Sequence, residues 1–461
     1  MHRAPVALGG PSFWFADLGG PPPPRPPLAG DTRADVCIVG AGYTGLWTAW
    51  YLKTAAPDLD ILVVEKDFAG FGASGRNGGW LTGGFAWAHR RYLAKGGEAG
   101  VRAMVTALGD TVDEVIRVAE AAGIDADILR TDEIMVAVTP AQEARMLDEV
   151  AHRRHWGEDR VTAIGAAEAR ARIDVPGLRG AMRVAGVARV QPAKLVRGLA
   201  AACERAGVRI VEGTEAVGLR PGRVETRRGT VTARIVIRAT EGFTADLPGL
   251  RRDWLPLNSA QIATPVLPPE TWARIGWQGH ELFGDFANAY CYCQRTRDGR
   301  ITVGARGVPY RFGSRTDDGG VPDAETLRRL TAILERHFPA AAAQGVAHGW
   351  CGVLGVPRDW CATVGFDPAT GMGHAGGYVG VGVSTSNLAG RTLADLALGK
   401  TSALTALPWV NHRVRRWEPE PLRWLGVRGM YAALNAADRR ETASGGPPHW
   451  IGRAANRLMG R

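Results

Sequence analysis

The segment Gly40-Ala41-Gly42-Tyr43-Thr44-Gly45 constrains this chain more than any other, because of what flanks it. The apolar run Asp35–Val39 precedes it, apolar residues at helical spacing follow from Tyr43 to Leu52, and a second apolar run covers Asp60–Val64. Strand, helix and strand in that order make a βαβ unit, since parallel strands need a helical crossover. Gly40 permits the tight turn, Gly42 lets backbone approach a pyrophosphate, and Gly45 lets the helix pack closely on the strand. Phosphates bound there would sit at the positive end of the helix dipole. Glu65 ends the second strand 20 residues after Gly45. A carboxylate at that point accepts hydrogen bonds from both ribose hydroxyls of an adenosine, so the pattern predicts a dinucleotide site.

Glycine is abundant beyond this motif, at 61 of 461 residues. That is about 13%, against a usual share of roughly 7%. A second cluster follows the acid directly, Phe71-Gly72-Ala73-Ser74-Gly75-Arg76-Asn77-Gly78-Gly79-Trp80, and a third holds five glycines between Gly373 and Gly382. Small residues at such places let backbone wrap a long ligand, or simply let crossovers pack closely.

The Ala73–Gly79 stretch (ASGRNGG) after the ribose acid resembles the D-amino-acid oxidase-like superfamily of FAD-dependent oxidoreductases, and within it the gamma-glutamylputrescine oxidase-like amine oxidases. Val190-Gln191-Pro192 with Leu195, Thr214–Val217, and Ala239-Thr240-Glu241-Gly242-Phe243 resemble further cofactor-domain segments. Phe283-Gly284-Asp285, Tyr290, Arg297–Arg300 and Gly304–Gly307 resemble the family's substrate-domain sheet, and Gly376–Val383 with Asn387–Gly390 its C-terminal flavin loop.

The fold class implied is α/β: a Rossmann-like FAD-binding domain built from discontinuous segments, with an α+β substrate domain on a mixed or antiparallel sheet. The expected division is an extended lead-in over 1–30 and cofactor segments over 31–105, 186–250 and 346–410. Substrate segments cover 106–185 and 251–345, and a basic helical tail covers 411–461. The lead-in carries Phe13, Trp14 and Phe15, expected to pack across the surface.

The resemblance places the FAD-contacting residues at Gly40, Gly42, Tyr43, Thr44, Gly45, Glu65 and Lys66 in the first unit, and Gly72, Ala73, Ser74, Arg76, Asn77, Gly78 and Gly79 in the second loop. Val217, Thr240, Gly242, Gly352, Gly377, Tyr378, Val379, Gly380, Gly382 and Val383 complete the set. A helix beginning near Ser386 would aim its N-terminus at the flavin pyrimidine and stabilise charge there on reduction. Cys351 and Cys361 flank GVLGVPRDW, which matches no covalent-attachment motif, so noncovalent FAD is expected.

The activity implied is oxidation of the C–N bond of an amine or amino acid by hydride transfer to flavin N5, with the imine hydrolysed in water. The acceptor would be oxygen, giving hydrogen peroxide, or in a dehydrogenase a carrier protein or quinone. A noncatalytic flavoprotein subunit docking through its basic tail is the third reading. Trp80, Tyr290, Arg306, Arg358 and Trp360 are the substrate-binding candidates, with Asp359 and Tyr378 the catalytic ones. Each has a structural alternative: Trp80 as core, Arg306 paired with Asp285, Asp359 as an orienting partner of Arg358, and Tyr378 as a cover over the ring.

The formal charge of +10 invites a nucleic-acid reading, but only five of the 56 basic residues are lysine and ten of the arginines fall after residue 410. No base-stacking module accompanies them, so a solvated tail is expected and no nucleic-acid partner. Six scattered cysteines without a CxxC pair fit a reduced, cytoplasmic setting. Cys291 and Cys293 point to one strand face across Tyr292 without nearby histidines, so no metal site is expected. No apolar run reaches the roughly 18 residues of a membrane span, and no signal peptide is evident before Asp17.

Overall fold

The computed structural model describes residues 6–306, 310–316 and 319–459, so Gly307 of the substrate-sheet resemblance lies outside the described residues. Among the described residues the strands form an eight-stranded and a ten-stranded sheet.

In the first sheet, strand Thr32–Val39 runs parallel to Ile61–Val64, with Val36 opposite Ile61 and Val39 opposite Val64. Helix Tyr43–Ala55 makes the crossover. Arg209–Val211 extends the sheet on one side, and Gly229–Arg238, Met372–Gly376 and the antiparallel Thr363–Asp367 on the other. Alternate side chains enter two different cores: Val36, Ile38, Ile61 and Val63 pack on one face, and Cys37, Val39, Leu62 and Val64 on the opposite one. Burial on both faces explains why these strands read as continuous apolar runs. Helix Gly382–Ala397 packs on the first of these helices, where Gly390 admits the Trp47 backbone. That helix begins four residues earlier than the apolar spacing predicts, at the last glycine of the third cluster.

The second sheet is mixed. Its centre is antiparallel, with Trp254–Ala263 paired along its whole length to His348–Pro357 and also to Ile301–Ala305. Leu282–Asp285 lies parallel to Leu129–Ala137. Strand His348–Pro357 was expected among the cofactor segments, as was Trp80–Leu81, which pairs with Ala188–Arg189 at the other edge. Strand Gly180–Arg189 likewise runs across the expected boundary at 186. An apolar run announces a strand without naming its partner, and here the chain crosses between sheets more often than composition shifts reveal.

Both termini are more deeply engaged than expected. Phe13, Trp14 and Phe15 are buried against Trp350 rather than laid across the surface. The C-terminal segment forms helices Leu422–Ser444 and Trp450–Met459, which bury Tyr431, Leu434 and Ala455 against the second sheet. The predicted solvated tail is therefore a packed element, because its apolar residues, diluted among ten arginines, still form one stripe. No helix among the described residues is long and apolar enough to cross a membrane.

Gly45 holds the first crossover together. A Cβ there would stand 1.9 Å from the Gly40 carbonyl oxygen and 3.2 Å from Ile38. Gly45→Ala is expected to cost about 3 kcal/mol through overpacking, read as a lowered urea midpoint; an unshifted midpoint would show that the helix gives way freely.

Candidate active site

One cavity of about 1290 Å³ follows the boundary between the two sheets. It exceeds the roughly 300–1,000 Å³ of ordinary small-molecule pockets. Gly40, with φ of +108°, begins the turn after the first strand, and its N–H donates to the Val64 carbonyl at 2.8 Å. Gly42 caps the crossover helix, and Ser74 of the second glycine cluster reaches over to accept from the Tyr43 N–H at 2.8 Å. The two clusters thus form one continuous backbone surface. At the far end Glu65 accepts from the Ala41 N–H at 2.8 Å and the Asp67 N–H at 3.0 Å. Burial pushes its carboxyl up to about 7. Lys66, Thr214 and Val217 line the cavity beside it.

The second cluster is stapled to the other sheet by Arg76, whose Nε donates to the Phe71 carbonyl at 2.7 Å and Nη1 to the Cys351 carbonyl at 2.9 Å. Asn77 closes the same turn, accepting from the Gly79 N–H at 2.8 Å. Glu241 joins the third cluster to the rest. Its carboxylate accepts from the backbone N–H groups of Gly377 at 2.8 Å and Tyr378 at 3.4 Å, and from that of Gly355. Burial pushes this carboxyl up to about 6 against those bonds. Glu241, Trp360 and Val379 all line the cavity with left-handed backbone, φ of +41°, +60° and +50°. Strained residues of this kind persist where the surroundings over-determine them, and they gather at functional sites.

Beyond the glycine clusters the cavity widens between Trp80, Tyr290, Tyr292, Arg306 and Trp360. Trp80 donates its indole N–H to the Cys293 carbonyl at 3.1 Å, and Tyr292 shares a 3.0 Å hydrogen bond with Ser259. The Arg306 guanidinium lies 5.9 Å from the Tyr290 ring centre and 5.2 Å from that of Trp360. Asp285 is held instead by His337, by Arg336 and by the Cys291 N–H.

Of the predicted residues, Gly40, Gly42, Tyr43, Thr44, Glu65, Lys66, Gly72, Ala73, Ser74, Arg76, Asn77, Gly78, Val217, Thr240, Gly352, Tyr378, Val379, Gly380, Gly382 and Val383 line the cavity, as do Trp80, Tyr290, Arg306 and Trp360. Gly45, Gly79, Gly242 and Gly377 stand behind it, where backbone or side chains leave no space for a Cβ. Arg358 and Asp359 do not line it. The left-handed turn at Trp360 sends them away, Arg358 to Glu418 at 2.9 Å and Asp359 to His412 at 2.7 Å. Tyr378 lines the cavity with its hydroxyl committed to Thr44 at 2.9 Å, and burial raises its pKa well above the ordinary phenol range. In this geometry it forms part of the cavity wall. The residues that sequence reasoning missed include Glu241 and Tyr292. Tyr292 had a signal: if Cys291 and Cys293 face the core, period-two alternation turns it the other way.

Residues 35–396 match the family model described as FAD dependent oxidoreductase. The chain belongs to this family. It is 30% identical to a probable oxidoreductase OrdL of Rhizobium meliloti, over 88% of this chain and 92% of that protein. It is 28% identical to gamma-glutamylputrescine oxidoreductase of Escherichia coli, over 82% and 87% respectively. The fold is shared with glycine oxidase from Geobacillus kaustophilus, with a TM-score of 0.67, 24% identity, and coverage of 82% of this chain and 98% of that one.

The residues present fit FAD. The glycine clusters put backbone, not side chains, against the cavity: a Cβ on Gly42 would meet Ser74 at 2.9 Å, and one on Gly78 the Tyr292 ring at 3.0 Å. Asn258 Oδ1 and Gln261 Oε1, both on cavity-lining residues, are buried without a hydrogen-bond partner among the described residues. Buried acceptors left unmatched point to donors on a ligand.

With its carboxyl pushed up to about 7 by burial, Glu65 would carry a proton at lower pH, and only a carboxylate would accept from both hydroxyls of a ribose bound there. FAD binding to the apoprotein should therefore strengthen as pH rises from 6 to about 7 and level off above it. Glu65→Gln should abolish that dependence and weaken binding by about tenfold to a hundredfold, measured by fluorescence titration; an unchanged pH profile in the variant would remove Glu65 from the ribose site.

Proposed function

We propose that this protein oxidises the C–N bond of an amine or amino acid, using noncovalently held FAD and oxygen as acceptor. FAD, when bound, supplies the two-electron acceptor for hydride from the carbon bearing nitrogen. The observation that carries the reading is Arg306, framed by the rings of Tyr290 and Trp360, all three half-buried, in a chamber that opens from the glycine clusters. A guanidinium so placed binds a carboxylate in two parallel hydrogen bonds, and the surrounding rings favour the cationic substrate on approach. Trp80 and Tyr292 close the opposite side, with their polar ends already bonded to protein. Their faces exclude water from the reacting carbon. No side-chain acid or base is needed in the chamber if the substrate reacts as the neutral amine, and the imine product hydrolyses in water. Relatives named for glycine and for gamma-glutamylputrescine support the substrate class.

An anaerobic screen of amino acids, N-methyl amino acids and polyamines tests this directly: at least one class should bleach the visible flavin band. Air should then restore the band with stoichiometric peroxide; slow return in air with fast return on adding a quinone would replace oxygen by a carrier. Arg306→Met should raise KM about a hundredfold for carboxylated amines while sparing amines without a carboxylate. Acid precipitation should leave the yellow colour in the supernatant, and a yellow pellet would mean a covalent link.

A further inference from the structure

The family match ends at residue 396, yet the wall of the substrate chamber continues into the chain beyond it. Tyr431 and Asn456, one from each C-terminal helix, line the same cavity as Arg306 and Trp360. The two helices are joined through Gly445, in left-handed conformation, and Gly452 brings the second against Ala437 of the first.

The pair is fastened to the segment Phe286–Tyr290, four of whose residues line the cavity. The Asp438 carboxylate accepts from the backbone N–H groups of Asn288 at 2.7 Å and Ala289 at 2.8 Å, and from the Asn288 side-chain amide at 2.8 Å. Glu441, only 3% exposed, accepts from Arg145 Nη1 at 2.9 Å and from the His449 N–H at 2.8 Å. Arg145 in turn donates to the Phe286 carbonyl at 2.8 Å. Asn456 donates to the Asn288 side chain at 3.3 Å. Tyr431, Leu434 and Ala455 pack on Leu255, Leu257 and Val356, with Trp360 against the same cluster. Fastening of this density, with carboxylates spent on backbone N–H groups, makes the helix pair part of the chamber and not an appended tail.

We infer that the C-terminal helix pair is the roof of the substrate chamber, and that Tyr431 and Asn456 are specificity-determining residues that meet the far end of an extended amine substrate. The roof's carboxylates are engaged and Glu441 neutralises Arg145, so it offers the chamber an amide and an aromatic ring. The ligand chemistry that fits is an amine with a chain long enough to reach the roof and an uncharged polar group at its end. Short substrates such as glycine end before the roof. The inference rests on the proposed amine oxidation for its substrates, while the roof itself is open to a separate measurement.

The holoenzyme, Asn456→Ala and Tyr431→Leu are compared with glycine and sarcosine as short probes and 5-aminopentanamide as the long one. The expected result is a KM for the long probe raised about tenfold in either variant, with its kcat and the KM of the short probes unchanged. Equal effects on long and short probes, or none, overturn the inference and leave the proposed activity standing. Iodide quenching of the bound flavin's fluorescence reads the roof without turnover: both variants should be quenched more steeply than the parent. If no amine bleaches the parent, the proposed activity falls and quenching decides the roof, with unchanged quenching overturning it.

Discussion

The architecture depends on bringing bare backbone from three distant segments to one groove, and the Glu241 carboxylate is where that convergence is held. It sits at the end of strand Gly229–Arg238 and receives N–H groups from strand His348–Pro357 and from the third glycine cluster. Each N–H left unmet in a buried place costs roughly 1–3 kcal/mol. One acid therefore couples the two sheets to the third glycine cluster, and the cost of burying it is shared by three donors. Arg76 does the complementary work with a cation, spending two guanidinium nitrogens on carbonyls of its own loop and of Cys351.

Strain collects in the same place. Glu241, Val379 and Trp360 hold left-handed backbone without being glycine. At Trp360 the consequence is visible, because the turn delivers the indole to the chamber and carries both its upstream neighbours out of it. A site whose walls meet at such turns is defined by tertiary ties, since the surrounding structure must over-determine each strained residue.

Legibility followed the range of the interaction. Gly40, Gly42 and Glu65 work within one βαβ unit, so spacing alone locates them, and the structure sets Gly40 and Gly42 against the cavity and Gly45 behind it. Arg358 and Asp359 directly precede Trp360, yet adjacency along a chain says nothing of side-chain direction where the backbone turns at positive φ, as it does at Trp360. The C-terminal helices were misread for a related reason. Their arginines dominate composition, while the few residues that matter, Tyr431 and Leu434 on the first helix and Ala455 on the second, bury against the sheet.

The sequence by itself determined the cofactor-binding half: a glycine turn between strand and helix, an acid in register, and a second glycine cluster behind it admit one local geometry. Only the tertiary structure decided what the substrate half looks like. Strand Trp80–Leu81 crosses to the second sheet, His348–Pro357 joins Trp254–Ala263, and the C-terminal helices close over Asn288. Sheet partners and helix docking are settled by burial summed over distant segments, and no local pattern carries that sum.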